Sequence, residues 1–191
     1  MMMDEIMGAS VFAVKQNSGV DKEKQDSGKP YTDYALFGKY YTPSGGTEKF
    51  IKGVIFVSET MDSPGKFKVY MNRIDEKYTG SDINSFANAK KSAIRNDRYL
   101  LGENLTQFAI VPNETNNFID TPDPSAPADD TKTKHEFNNP INFDVSLTFE
   151  RNGWGSKIIK KHVDDVTYLR NKVTDTVYID GTPYELKKKD E

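Results

Sequence analysis

Ten residues constrain this chain more than any others. From 141 to 150, Ile141, Phe143, Val145, Leu147 and Phe149 alternate with Asn142, Asp144, Ser146, Thr148 and Glu150. Side chains of a strand point to opposite faces in turn, so this period of two describes an antiparallel strand with one buried and one wet face. The run leads into Asn152-Gly153, a dipeptide suited to the positive φ angles of a two-residue hairpin turn. It predicts a return strand from about Trp154 to Val163. A second hairpin is centred on Asp180-Gly181, with Tyr178 and Tyr184 on its two sides. Residues 164–173 fit a short helix or a strand.

Upstream, Pro43-Ser44-Gly45-Gly46 and Asp62-Ser63-Pro64-Gly65 punctuate the segment 31–72 into three expected strands. These are an aromatic-rich one over 31–41, the most apolar one over 49–58, and one over 66–72. In the last, Phe67, Val69 and Met71 alternate with Lys66, Lys68 and Tyr70, which predicts one wet face. Helical spacing appears once, in Ile83, Phe86, Ala87, Ile94 and Leu101, with Ser81 to cap its start and Gly102 its end. Lys90, Lys91, Arg95 and Arg98 then form a cationic stripe beside the apolar one.

Six to eight short strands around one central helix, at about 81–101, predict a β-rich domain: a small antiparallel barrel, OB-like, or a two-sheet sandwich. Strands do not alternate with helices, which argues against a doubly wound α/β fold. The expected organisation is a flexible segment over 1–30 with a possible first strand, one β-rich domain over 31–186, and a charged tail over 187–191. The domain is interrupted at 120–140, where five acidic residues face two basic ones and Pro122, Pro124 and Pro127 break the backbone. This reads as a disordered acidic loop.

Composition removes several chemistries. With no cysteine among 191 residues there is no disulfide framework, no thiol nucleophile and no thiolate metal site. Only His135 and His162 supply imidazole, without metal-ligand spacing. Neither a phosphate-cradling glycine loop nor a Gly-x-Ser-x-Gly elbow occurs. The acidic pairs Asp75-Glu76, Asp129-Asp130 and Asp164-Asp165 are adjacent residues, which point apart on a strand. The expectation is a protein that is not an enzyme and takes no cofactor or metal. No apolar run approaches the roughly 18 residues of a membrane span, and Met1 to Met7 lacks the basic and apolar regions of a signal peptide. These features predict no membrane partner and a location inside the host cell, in the cytoplasm or in a virion. Lysine far outnumbers arginine and asparagine is frequent, a bias typical of A/T-rich genomes such as those of low-GC bacteria and their phages.

Two functions fit what remains. Tyrosines interleaved with lysines suit single-stranded DNA, whose bases stack on flat side chains for about 1–3 kcal/mol each while cations follow the backbone. The stacking and phosphate-contact candidates are Tyr40, Lys66, Lys68, Tyr70, Arg73 and Trp154, supported by Lys90, Lys91, Arg95 and Arg98. An acidic loop could compete for such a groove. A net charge of −3 argues against coating duplex DNA by bulk charge. The alternative is a non-enzymatic structural or assembly protein, such as a viral or phage capsid, tail or accessory component. It would form homo-oligomers or join other virion proteins through its edge strands.

Overall fold

The structure is a computed structural model that describes residues 2–17, 31–63, 65–94, 99–113, 118–122, 133–153, 155 and 157–188. The chain is β-rich, as its turn chemistry predicts, with 61% of the described residues in strands. A short helix α1 (Met2–Met7) precedes β1 (Val11–Asn17), and three long strands follow: β2 (Tyr31–Tyr41), β3 (Phe50–Thr60) and β4 (Phe67–Lys77). Helix α2 (Ile83–Lys91) connects to β5 (Leu100–Pro112), β6 (Phe118–Pro122), β7 (Thr133–Phe137) and β8 (Asn142–Asn152). The chain then forms β9 (Ile158–Tyr168), β10 (Val177–Ile179) and β11 (Thr182–Leu186).

All eleven strands join one open sheet in the order β6-β7-β11-β10-β1-β2-β3-β4-β5-β8-β9. Among the described residues only β1 with β10 and β7 with β11 pair in parallel. Of the two architectures expected from the sequence, barrel or two-sheet sandwich, the closed barrel does not form: the sheet has two ends, β6 and β9. The sheet instead curls over its own core. Phe12, Phe37, Phe56, Phe108 and Phe143 all lie inside that core with no exposed surface. The limbs are tied across it by polar groups: Thr32 Oγ1 accepts the Ile110 N–H (2.7 Å), and Gln16 Nε2 donates to the Ile110 carbonyl (2.9 Å).

A second core lies on the other side of the central strands, where α2 packs Ile83, Phe86 and Ala87 against Val11, Leu36, Ile55 and Tyr70. These helical positions follow the spacing expected of an apolar helix stripe. Its cap is Asp82 rather than Ser81: the carboxylate accepts the Ser85 N–H at 2.7 Å, satisfying one open donor of the first turn. The helix is shorter than the sequence suggests and stops at Lys91, with Ser92 as C-cap. Gly102 and Leu101 belong to β5. Leu101 had matched the helical rhythm by chance, and its side chain is exposed.

Both predicted hairpins form. At Asp180-Gly181 both residues have positive φ (54° and 85°) and Ile179 pairs with Thr182, as a two-residue turn requires. The other connection is longer than expected: the Gly153 N–H bonds to the Lys157 carbonyl, and β9 starts at Ile158 and continues to Tyr168. The segment that fitted helix or strand is therefore strand as far as Tyr168. Leu169 and Val173, beyond it, are buried.

Three other expectations change. The wet face of β4 is covered at Tyr70 and Ile74, because the α2 core sits on that side. The N-terminal segment contributes α1 and a central strand, β1, while residues 18–30 lie outside the described residues. The acidic segment is anchored at both ends by the antiparallel β6–β7 pair, in which Phe137 is fully buried. Its middle, 123–132, lies outside the described residues, as does the tail over 189–191. Among the described residues no helix is long and apolar enough to cross a membrane.

Candidate functional site

Of the ten side chains suited to a nucleic-acid groove seven lie among the described residues, and five of these are engaged within the chain. Tyr70 on β4 is 3% exposed, in the core beneath α2, and its hydroxyl donates to Glu59 Oε2 (3.1 Å). Tyr40 on β2 is half-buried, with Tyr78 against its edge and Lys49 Nζ 3.5 Å from its ring centre. One of its faces is thus occupied by a cation, and burial, reinforced by the hydrogen bond with Tyr78, pushes its phenol pKa up. Arg73 pairs with Glu5 at 2.8 Å. On α2, Lys90 reaches Glu76 at 2.7 Å and Lys91 reaches Asp33 at 2.5 Å, which ties the helix to its sheet. Lys66 and Lys68 are half-exposed, and Lys68 stands opposite Glu59 across the β3–β4 pair. Arg95, Arg98 and Trp154 lie outside the described residues.

A different element is open to solvent. Strand β9 ends the sheet, and all its residues except Thr167 are exposed. Its apolar members Ile158, Ile159, Val163, Val166 and Tyr168 account for most of the large hydrophobic side chains left exposed among the described residues. β8 runs alongside it in unbroken register, from Asn142 opposite Tyr168 to Asn152 opposite Ile158. Core contact fades along this pair: Phe143 and Val145 are buried, Leu147 is half-buried and Phe149 is exposed. The distal half of this β8–β9 arm therefore lies at the margin of the core, with β5 still paired to β8 as far as Leu105 opposite Phe149. Beside it lies an open groove of about 480 Å³ lined by Glu103, Asn104, Phe149, Glu150, Arg151, Ile159 and Lys161.

The backbone of this arm has a fixed polarity. In an antiparallel pair, residues that bond to the partner alternate with residues whose N–H and C=O point away from it. At the two ends of the β8–β9 register, Gly153 N–H bonds to Lys157 C=O (2.6 Å) and Leu169 N–H bonds to Ile141 C=O (3.0 Å). Odd-numbered residues of β9 therefore face β8, and the even-numbered ones from Ile158 to Tyr168 face the open edge. The Val166 N–H agrees with this parity, since it is taken by the neighbouring Asp165 carboxylate (2.8 Å) rather than by a strand.

Comparison with models of protein families, with curated proteins and with solved structures finds no match.

Among the described residues of the same arm, polar side chains form one relay. His162 contacts Thr148 Oγ1 through Nδ1 (2.6 Å) and Asp164 Oδ2 through Nε2 (2.5 Å), and Ser146 donates to the other Asp164 oxygen (2.5 Å). The order hydroxyl, imidazole, carboxylate is that of a nucleophilic triad, but its His and Asp side chains are about half exposed (47% and 58%) on open strand surface. A triad acts inside a water-excluded site with donors for an oxyanion. The relay here fixes side chains along the edge. Among the described residues no group of three His, Asp or Glu side chains could hold a metal ion.

The turn chemistry predicts a return strand here, over about 154–163, but the sequence pattern does not mark β9 (Ile158–Tyr168) as an exposed edge, for a physical reason. Lys160-Lys161-His162-Val163-Asp164-Asp165-Val166 has no apolar side, because neither side of the strand rests on a core. That mixed character, following a clean alternating strand, is itself the available signal for an exposed edge.

Proposed function

We propose that this protein is a non-enzymatic assembly component that docks by adding a partner's strand to the free edge of β9. The observation that supports this reading most strongly is an eleven-residue terminal strand, nearly all exposed, rich in β-branched and aromatic residues. Monomeric proteins usually shorten, bend or cover such an edge, because its open N–H and C=O groups are a template for another chain. Added strands gain affinity from main-chain bonds and specificity from alternate side chains. The compositional bias towards lysine and asparagine supports an origin in a phage or a low-GC bacterium.

Binding of single-stranded DNA is the competing proposal. Half-exposed Lys66 and Lys68 support it, whereas Tyr40, Tyr70, Arg73, Lys90 and Lys91 already have partners within the chain. Two assays separate the readings. Panning a random peptide display library should select extended peptides that lose binding to a Val166→Pro variant, which lacks one outward N–H. Fluorescence anisotropy with a labelled poly-thymidine oligomer at low salt should show no tight binding. The opposite pattern, salt-sensitive DNA binding and no edge-dependent peptides, would replace docking with the DNA reading.

A further inference from the structure

The sequence of β9 is complementary to itself when a second copy runs antiparallel, and from this, resting on the docking reading above, we propose that the occupant of the edge is β9 of another molecule. The pairing is centred on Val163, so that the residue numbers of each facing pair sum to a constant. Lys161 of one copy then faces Asp165 of the other, His162 faces Asp164, Lys160 faces Val166 and Ile158 faces Tyr168. Basic residues fill the first half of the strand and acidic ones the second, so antiparallel pairing sets opposite charges against each other on both sides of the axis. Cross-strand pairs of opposite charge stabilise a sheet, and like charges placed opposite each other destabilise it.

Backbone parity allows the same register. Outward-facing residues of β9 are even-numbered, and this alignment sets even against even: Ile158 with Tyr168, Lys160 with Val166, His162 with Asp164. These become the hydrogen-bonded pairs, while Lys161 with Asp165 and Val163 with Val163 become the closely spaced non-bonded pairs. A slip of one residue would oppose outward groups to inward ones. Slips of two residues place His162 on His162 or Asp164 on Asp164, and parallel pairing sets Lys161 beside Lys161. The charges that would discourage arbitrary strands thus select one partner and one register.

Lys161 and Asp165 are available for this exchange. Among the described residues Lys161 has no ion-pair partner, and Asp165 accepts only the adjacent Val166 N–H. On pairing, the Val166 N–H transfers to the Lys160 carbonyl of the other copy, and the released Asp165 carboxylate meets Lys161. The result is a two-fold dimer in which two sheets become one continuous sheet, with a self-complementary interface.

Sedimentation equilibrium of the full chain from micromolar to millimolar concentration tests the assignment. Wild type should dimerise. Lys161→Asp or Asp165→Lys should each raise the dissociation constant about tenfold, as two symmetry-related attractions become repulsions. The double variant carrying both changes reverses the two symmetry-related 161–165 pairs and should return the constant to within about threefold of wild type. Val166→Pro should weaken the dimer without moving the melting temperature of the dilute protein. Dimers that ignore these substitutions would overturn both this pairing and docking through β9. A monomer at all concentrations would overturn self-pairing alone if it still binds Val166-dependent peptides, and both readings if it binds none.

Discussion

Tyrosine carries much of what can be tested at the scale of the residue. Tyr34 is buried against α2 and donates its phenolic proton to Asn84 Oδ1 (2.7 Å). Burial, reinforced by Asp33, Asp180 and Asp82, pushes its pKa up to about 12. The unfolded chain loses this proton near its ordinary value of about 10. Stability from the neutral phenol is therefore complete below about pH 10 and is lost as pH rises through about 12, amounting to about 3 kcal/mol for one such group. Urea denaturation across this window should show a steep alkaline loss that Tyr34→Phe makes shallower; an unchanged slope would remove Tyr34 as its source. Tyr70 was legible as a half-exposed stacking residue only because the sequence does not show what lies above a strand. Placed under α2, Tyr70→Ala should cost about 3–5 kcal/mol, and Tyr70→Phe only about 1 kcal/mol for its bond to Glu59. A Tyr70→Ala protein that melts like wild type would return the residue to the surface.

At the scale of elements, local chemistry predicted most where the determinants were local. The alternation over 141–150 and the positive-φ dipeptide Asp180-Gly181 are complete within a few residues, so β8 and the terminal hairpin could be read directly. The extent of α2 could not. Leu101 falls on the helical period, yet pairing of β5 with β4 and β8 outweighs that weak local signal. Close approach of β2 and β3 is equally invisible in sequence. Gly53 stands opposite Gly38, and a Cβ at residue 53 would lie 2.1 Å from the Phe37 carbonyl oxygen and 2.6 Å from the Gly38 Cα. Backbone atoms cannot yield as a flexible side chain can, so Gly53→Ala should separate the strands and cost more than about 2 kcal/mol. Thermal unfolding of that variant within a degree of wild type would mean the sheet has slack at its centre.

On the scale of the whole molecule, the fold class was readable and the sheet order was not, because order depends on contacts between distant segments. The parallel pairing of β1 with β10 joins residues 13–14 to 178–179, and Ile6 of α1 lies in the core that these strands help to form. Of the candidate site, the sequence located side-chain types but not their neighbours: ion pairs with Glu5, Glu76 and Asp33 engage cations that looked available. It placed the return strand but not its bounds or its exposure, since a strand exposed over most of its length has no apolar periodicity to fix them. The account rests on that strand being an open edge with fixed backbone polarity. Residue-resolved amide hydrogen exchange measures this directly. In dilute protein, Lys161, Val163 and Asp165 should be protected by β8 while His162 and Val166 exchange quickly, and at high concentration, or with a selected peptide added, the latter two should become protected. Equal protection of odd and even residues in dilute protein, or no change on association, would contradict the account.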